Sequence, residues 1–424
     1  MSTALSLRLI KFADGERFPL LIDEAGIPHW HATLFVTAQV RNASRAPNTM
    51  AAVLTAVRSL LKWAESSGID LEERFAGREF LATFEIESLR AHMESRHVFS
   101  KKEVLSERAL IAGRRESARA APAPVVDRLA TTTRYIRMTY AADYLEWLAV
   151  RLVERAARHV DAATLTGIKA MVEGVRKRRP QKGVKSLLNA RRGLPEDAQA
   201  RLLSLVQPDF PENPFEPEAR RRNELIVLLL FHLGIRAGEL LALKVTDFDF
   251  QRNEVVVARR HGDATDPRLN QPVVKTLDRR IPLQDALASA VSRYVLGERH
   301  QLAAARKHEF LLVTHKVGPF LGQPLSMKGL SKLFAKIQEV EPTLLGSLSP
   351  HVLRHTANDR FSALMDKNNV SAPKEEKMRS YVMGWKEGSG TASTYTRRHI
   401  EKEAKEVFLR MQESAATRNS RDKK

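Results

Sequence analysis

The sequence has no cysteine among its 424 residues. Disulfides, thiolate catalysis and cysteine-based metal sites are therefore excluded. Long apolar runs are missing as well: the longest, residues 225–233, is far too short to span a bilayer and contains His232. The opening MSTALSLRLIKFADGE has only a brief apolar run with acidic residues close behind, so it reads as no signal peptide. These shortages predict a cytoplasmic protein with no membrane partner, nucleoid-associated in a bacterium. Acidic residues are the third deficit, 50 against 69 Lys and Arg, leaving a net charge of +19. Such a surplus favours a polyanionic partner, nucleic acid first, over a merely soluble basic surface or attraction to anionic lipid.

What is present is a folded chain of two or three domains, since 43% of the residues are hydrophobic. Loose alternation over residues 6–23, broken at Asp14-Gly15, predicts a β-hairpin. From Thr49 the apolar spacing turns helical, through Val53, Leu54, Val57, Leu60, Leu61 and Ala64, with Trp63 beside the stripe. Residues 101–128, rich in Arg, Ala and Pro, read as an exposed connection. A second helix is expected over 134–159, with Arg134 and Arg137 among its charges. Residues 175–192 (VRKRRPQKGVKSLLNARR) are dense in Lys and Arg and broken by Pro180 and Gly183, which suits a connector lying along phosphates. Arg134, Arg137, Arg176, Lys177, Arg178, Arg179, Lys182 and Lys185 are the candidate DNA contacts; the bland reading for each is a solvated surface charge.

Four prolines in residues 207–217 mark a boundary. Beyond it, helices are expected over 222–233, 237–243, 285–296 and 326–338, strands over 254–260, 279–283 and 310–314, and mostly helix after Pro350. The fold class is thus mainly α with a small antiparallel β-sheet.

Three segments carry chemistry: GIRAGELLAL at 234–243, PHVLRHTAND at 350–359, and MGWKEGSGTASTYTRRH at 383–399. Each is weak alone; their order and content together resemble the tyrosine recombinase and phage integrase family, over about residues 213–410. The resemblance implies a metal-independent enzyme without cofactor that cleaves and rejoins DNA through a 3′-phosphotyrosine. Tyr395 is the nucleophile by motif match. Arg236 and Arg354 neutralise the phosphate, which suits guanidinium forks that stay charged. The bland reading of Arg236 is an ion pair with Glu239. His351, three residues before Arg354 and so on the same helical face, assists proton movement or binds a phosphate oxygen. Its bland reading is a capping or core histidine, and His355 is read as supporting structure. Trp385 stands where many family members place histidine; its indole donates a hydrogen bond but cannot titrate. Lys275, in VVKTLDRRIPL, is the proton donor to the leaving 5′ oxygen, although a solvated turn lysine is the plain alternative. Tyr381 competes with Tyr395, but lies before the Gly-Trp beside Met378 and Val382, and is expected to pack in the core.

The resemblance further implies a C-shaped clamp on double-stranded DNA, a helical core-binding domain facing a catalytic domain. The expected division is an arm or hairpin module at 1–47, a core-binding domain at 48–205 with an insertion near 75–130, a catalytic domain at 206–412, and a basic tail at 413–424. A homo-oligomer is implied, a dimer on a site and a tetramer in synapsis. The amphipathic helix carrying Ile400, Val407, Phe408 and Met411 either passes to a neighbouring protomer or packs on its own domain. The rival functions are a type IB topoisomerase-like enzyme and a non-cleaving architectural or regulatory protein of the same fold. A metal-dependent nuclease fits poorly, as no carboxylate cluster of suitable spacing stands out.

Overall fold

The computed structural model describes residues 5–43, 45–95, 128–156, 160–181, 193–260, 262–274, 276–388, 404–405 and 407–412. The readings for residues 101–127, Lys182, Lys185, Lys275, Tyr395, Ile400 and the tail at 413–424 lie outside these. Two compact units divide the chain, with the principal break between residues 188 and 189.

In the first unit, strands β1 (Ser6–Lys11) and β2 (Arg17–Ile22) pair antiparallel, with Ser6 opposite Ile22 and Lys11 opposite Arg17. Gly15 takes a positive φ at the turn. Helix α1 (Trp30–Phe35) runs into a π-turn, and α2 (Pro47–Ser66), α3 (Leu71–Ala76), α4 (Thr83–Glu94), α5 (Thr131–Ala156) and α6 (Ala162–Lys177) follow. The three-and-four spacing of α2 buries Val53, Leu54, Val57, Leu60 and Ala64; Trp63 is buried too, its Nε1–H donating to Ser88 Oγ at 3.1 Å. Phe18, Leu21 and Phe35 enter the same core as Val53, Tyr144 and Leu145. Both strands and α1 therefore pack into the core of the helical unit rather than forming a module of their own. The stretch expected to be a connector begins as helix: α6 reaches Lys177, with Val175 fully buried.

The second unit contains α7 (Glu196–Leu205), α8 (Pro217–Leu233), α9 (Ala237–Ala242), strands β3 (Phe248–Asp249), β4 (Glu254–Val257) and β5 (Arg279–Pro282), then α10 (Asp285–Tyr294), α11 (Met327–Val340), α12 (Pro342–Leu345), α13 (Pro350–Lys367) and α14 (Ala372–Met383). The three strands form one antiparallel sheet in the order β3-β4-β5. Helix α8 is apolar nearly all round, from Leu225 to Leu233, and forms the centre of this core. Leu194, Ala198, Leu202 and Leu205 are buried in it. The expected boundary at 205/206 thus falls inside the second core, because α7 contributes an apolar face to it. Residues 310–314 form isolated bridges instead of a strand: Leu311 N–H donates to Leu243 O at 2.9 Å and Val245 N–H to Glu309 O at 2.8 Å. Among the described residues, no helix is long and apolar enough to cross a membrane.

One buried polar group in this core titrates unusually. Tyr294 Oη accepts the Val313 N–H at 3.4 Å and lies 3.1 Å from His315 Nε2, an arrangement that suits a neutral imidazole. Burial, helped by the Arg222 charge, pushes the His315 pKa down to about 4. Below about pH 6.5 the unfolded chain takes up a proton that the folded imidazole refuses until about pH 4. This contribution to stability is therefore full at neutral pH and lost between those values, worth roughly 3 kcal/mol at its largest. Denaturant melts of the wild type should lose stability on acidification, and His315→Gln should flatten that part of the slope; parallel slopes would show that another group is responsible.

Candidate active site

The chain reverses direction at Gly234, in the left-handed region (φ 60°) that ends α8, and enters α9 through Arg236. Arg236 is the N-cap of α9, about one third exposed, and Glu239 sits three residues on. Glu239 Oε2 accepts the Arg236 backbone N–H at 3.0 Å, and Oε1 lies 3.3 Å from Arg236 Nη1. The ion pair weighed against a functional role is thus present. It holds the guanidinium from one side and leaves it at the surface of the unit.

Glu239 is itself wholly buried and does more than pair with Arg236. Arg279 Nη2 donates to Glu239 Oε2 at 2.8 Å, and Thr276 Oγ1 donates to Oε1 at 2.6 Å. Burial alone would raise the Glu239 pKa. Arg279 and the donors from Thr276 and Arg236 outweigh it and hold the carboxyl below the ordinary range. Arg279 Nε also donates to Val382 O at 2.7 Å, at the end of α14. One carboxylate therefore links the segment of Arg236, the segment around Lys275 and the approach to Trp385. Lys275 lies outside the described residues; its neighbours Val274 and Thr276 are both buried.

Arg354 lies in α13, only 2% exposed. Its Nη1 donates to Gly234 O at 2.6 Å and its Nη2 to Met383 O at 3.3 Å. The guanidinium carbon stands 5.2 Å from the centre of the Trp385 ring, a cation–π distance. Two of its five N–H donors thus tie the turn before Arg236 to the turn before Trp385. Trp385 is buried, its backbone N–H bonded to Ser380 O at 2.8 Å after the left-handed Gly384 (φ 66°). A Cβ at Gly384 would stand 2.7 Å from Arg279 Nη1 and 2.9 Å from Leu277 O, so that position demands glycine. Gly384 O in turn accepts the Leu277 N–H at 3.0 Å. His351 is exposed in the first turn of α13, which Ser349 caps through the Val352 N–H. Its ring meets that of His355 edge-on at 4.4 Å, and His355 is buried beneath it.

The structure thus brings Arg236, Arg354 and Trp385 into one bonded network, with His351 one helical turn before Arg354. Tyr395 lies outside the described residues. Tyr381 does not pack in the core as expected: it is 66% exposed. The buried face of α14 is instead Glu375, Arg379, Ser380 and Met383. Arg379 is fully buried, donates to Asn358 O and Oδ1 at 3.2 Å and to Ser362 Oγ at 2.6 Å, and pairs with Glu375. Asn358 Nδ2 then donates to Arg354 O at 2.8 Å, which braces the turn that carries Arg354. Sequence reading missed both buried arginines. The signals were there: Arg279 alternates in phase with Ile281 on β5, and Arg379 follows Glu375 at i+4.

The described candidate DNA contacts of the first unit are engaged within it. Arg134 lies 3.4 Å from Glu94, Arg176 bonds Asp143 and Glu146 at 2.9 Å, and Arg178 bonds Glu87 at 2.6 Å. Arg137 donates to Ser95 O at 3.3 Å, and burial lowers its pKa. Lys177 is exposed and 3.4 Å from Glu173. Arg179 donates to Arg176 O at 2.9 Å and stacks 4.9 Å over Tyr135.

Removing the Glu239 charge strands Arg279 in the interior. Glu239→Gln should cost about 3 kcal/mol in chemical denaturation of the second unit, because the unpaired buried guanidinium outweighs the amide's retained hydrogen bonds. A loss below about 1 kcal/mol, the scale of an exposed ion pair, would show that the network is not the constraint.

The sequence model of the Phage integrase family matches residues 205–402. Tyrosine recombinase XerC of Roseiflexus castenholzii is 31% identical over 150 residues, which is 35% of this chain and 41% of that protein. Transposase A from transposon Tn554 of Staphylococcus aureus is 27% identical over 137 residues, 32% of this chain and 35% of that protein. The matches therefore span less than half the length of these curated relatives. The crystal structure of XerA recombinase aligns over 88% of this chain and 97% of its own, at 16% identity and a TM-score of 0.35. The matched segment contains Arg236, Arg354 and Trp385 in the motif order set out above, so residues 205–402 are similar to the phage integrase family.

Proposed function

We propose that this protein is a site-specific DNA recombinase that breaks and rejoins strands of double-stranded DNA through a 3′-phosphotyrosine on Tyr395. The observation that carries the reading is the Arg354 guanidinium, bonded at once to the turn before Arg236 and the turn before Trp385. Such a network holds two cationic forks and an indole donor in one frame before substrate arrives, as electrostatic stabilisation of a phosphorane requires. In the forward step the Tyr395 oxygen bonds to phosphorus as its proton passes to His351, and the bond from phosphorus to the 5′ oxygen breaks. Lys275 gives that oxygen its proton, and Trp385 contacts a non-bridging oxygen. Rejoining is the reverse, with the 5′ hydroxyl attacking the phosphotyrosine.

The net charge of +19 supports a DNA partner. Arg134, Arg137, Arg176, Lys177, Arg178, Arg179, Lys182 and Lys185 supply contacts to phosphates, with the carboxylates beside Arg176 and Arg178 keeping those side chains extended. Val407, Phe408, Leu409 and Met411 are all about half exposed or more, which supports passing this helix to a neighbouring protomer of a dimer or tetramer. Integration, excision and transposition of a mobile element all use this chemistry.

A randomised library of nicked duplexes, captured covalently on the wild-type protein, should return a defined sequence attached through its 3′ phosphate. Tyr395→Phe should capture none of it; undiminished capture by that variant would remove Tyr395 from the reaction. Arg236→Ala should slow adduct formation on the order of 100-fold while duplex affinity changes only a few-fold, because phosphates elsewhere supply most of the binding. A collapse of affinity with no change in the bound-state rate would contradict the role given to Arg236.

A further inference from the structure

Residues 262–272 (GDATDPRLNQP) lengthen the connection between β4 and β5. Their composition reads as a loose polar turn. In the structure their side chains are spent on α9 and on the residues just after it. At the near end, Arg260 forks onto Asp247 and reaches Ala242 O at 3.3 Å. Asp263 takes Lys244 Nζ at 2.9 Å and accepts the Thr265 N–H and hydroxyl at 2.9 and 2.6 Å. Asp266 and Arg268 form a buried two-pronged pair, Nε and Nη2 each donating at 2.9 Å. The remaining Arg268 nitrogen, Nη1, donates to Leu241 O at 3.0 Å and Leu325 O at 2.8 Å, while the guanidinium carbon lies 4.7 Å from the Phe310 ring centre. Leu241 O is one of the last-turn carbonyls that a helix cannot satisfy internally.

The far end is laid on the same helix. A Cβ at Gly238 would stand 2.4 Å from Val273 O, so the backbone at Val273 passes directly over α9. Three residues later Thr276 donates to Glu239. The segment therefore follows α9 from its C-terminal carbonyls back towards Arg236, and the residues held there, Val273 and Thr276, flank Lys275 in the sequence. A lysine has a long flexible stem, so the volume its amine can sample is set by where its backbone is held.

We propose that residues 262–272 act as a strap that fixes the reach of Lys275, with Arg268 as the positioning residue that pins the strap to the helix of Arg236. This rests on the reading of Lys275 as the proton donor. Donor and phosphate clamp then share one rigid frame, as proton transfer over hydrogen-bond distance requires.

The test replaces the leaving 5′ oxygen by sulfur in the duplex selected by covalent capture. The bond from phosphorus to sulfur breaks as the tyrosine oxygen bonds to phosphorus, and the thiolate departs without needing a proton. Arg268→Lys keeps a charge opposite Asp266 but loses the fork to Leu241 O and Leu325 O. It should slow adduct formation on the ordinary duplex by about 10- to 100-fold, yet stay within about threefold of wild type on the sulfur duplex. Lys275→Ala should show the same pattern. Equal slowing of Arg268→Lys on both duplexes, or slowing on neither, overturns the strap. If Lys275→Ala is rescued by sulfur and Arg268→Lys is not, the strap alone fails. If Lys275→Ala is not rescued, the proton-donor reading fails and takes the strap with it. Should Arg268→Lys fold poorly, the double variant Asp266→Asn/Arg268→Gln removes both charges and is judged by the same comparison.

Discussion

A carboxylate taken out of water must be compensated fully or not at all, and the second unit is organised around one that is. Glu239 has no exposed side-chain surface, yet it remains on the ionised side of its titration because Arg279, Thr276 and the Arg236 amide surround it. Leaving one member of such a group unpaired costs several kcal/mol, a large share of what holds a domain together. That cost makes the arrangement nearly all-or-none. Helix α9, strand β5 and the end of α14 must meet in one register, or a buried guanidinium is stranded. Arg236 and Arg279 are thereby held by the anion they share, and Arg354 by the backbone carbonyls of Gly234 and Met383.

Backbone geometry completes the frame. Gly234 and Gly384 both adopt the left-handed conformation, and each ends a helix where the chain turns sharply just before Arg236 or Trp385. Arg354 spans the two turns, so its guanidinium both stabilises them and takes its orientation from them. Behind it, the Arg379 network bonds α14 to α13 through Asn358, and so reaches the Arg354 carbonyl. This explains why α14 has so little apolar character on its inward side. Its packing is done by a buried arginine and its partners, which left Tyr381 outside.

The helical first unit uses charge differently. Its arginines are mostly bound to carboxylates or carbonyls on neighbouring helices, at distances of ordinary hydrogen bonds. Pairs of this kind contribute little stability at the surface. They do restrict the long side chains that make them, at a cost in rotamer freedom. Its hydrophobic core takes in the N-terminal hairpin, so the smallest sequence segment that looked separable is not.

The sequence alone determined the family resemblance and the main elements, because both are written in local spacing. Helix α2 was legible in its three-and-four stripe, the hairpin in its alternation about Asp14-Gly15, and Arg236, Arg354 and Trp385 in short motifs of fixed order. The pairing of Arg236 with Glu239 was legible too, being three residues apart on a helix. Tertiary structure decided what depends on residues distant in the chain. Nothing local says that Glu239 also takes Arg279, forty residues on, or that Arg354 bonds the carbonyls of Gly234 and Met383. Nor does a polar, proline-containing insertion announce that its Asp266 and Arg268 will be buried against Leu241 and Leu325. The boundary expected after α7 falls inside the second core, because proline density marks a turn while core membership is settled by which apolar face finds a partner. In each case a charge or an apolar face needs a complement, and only the folded chain supplies it.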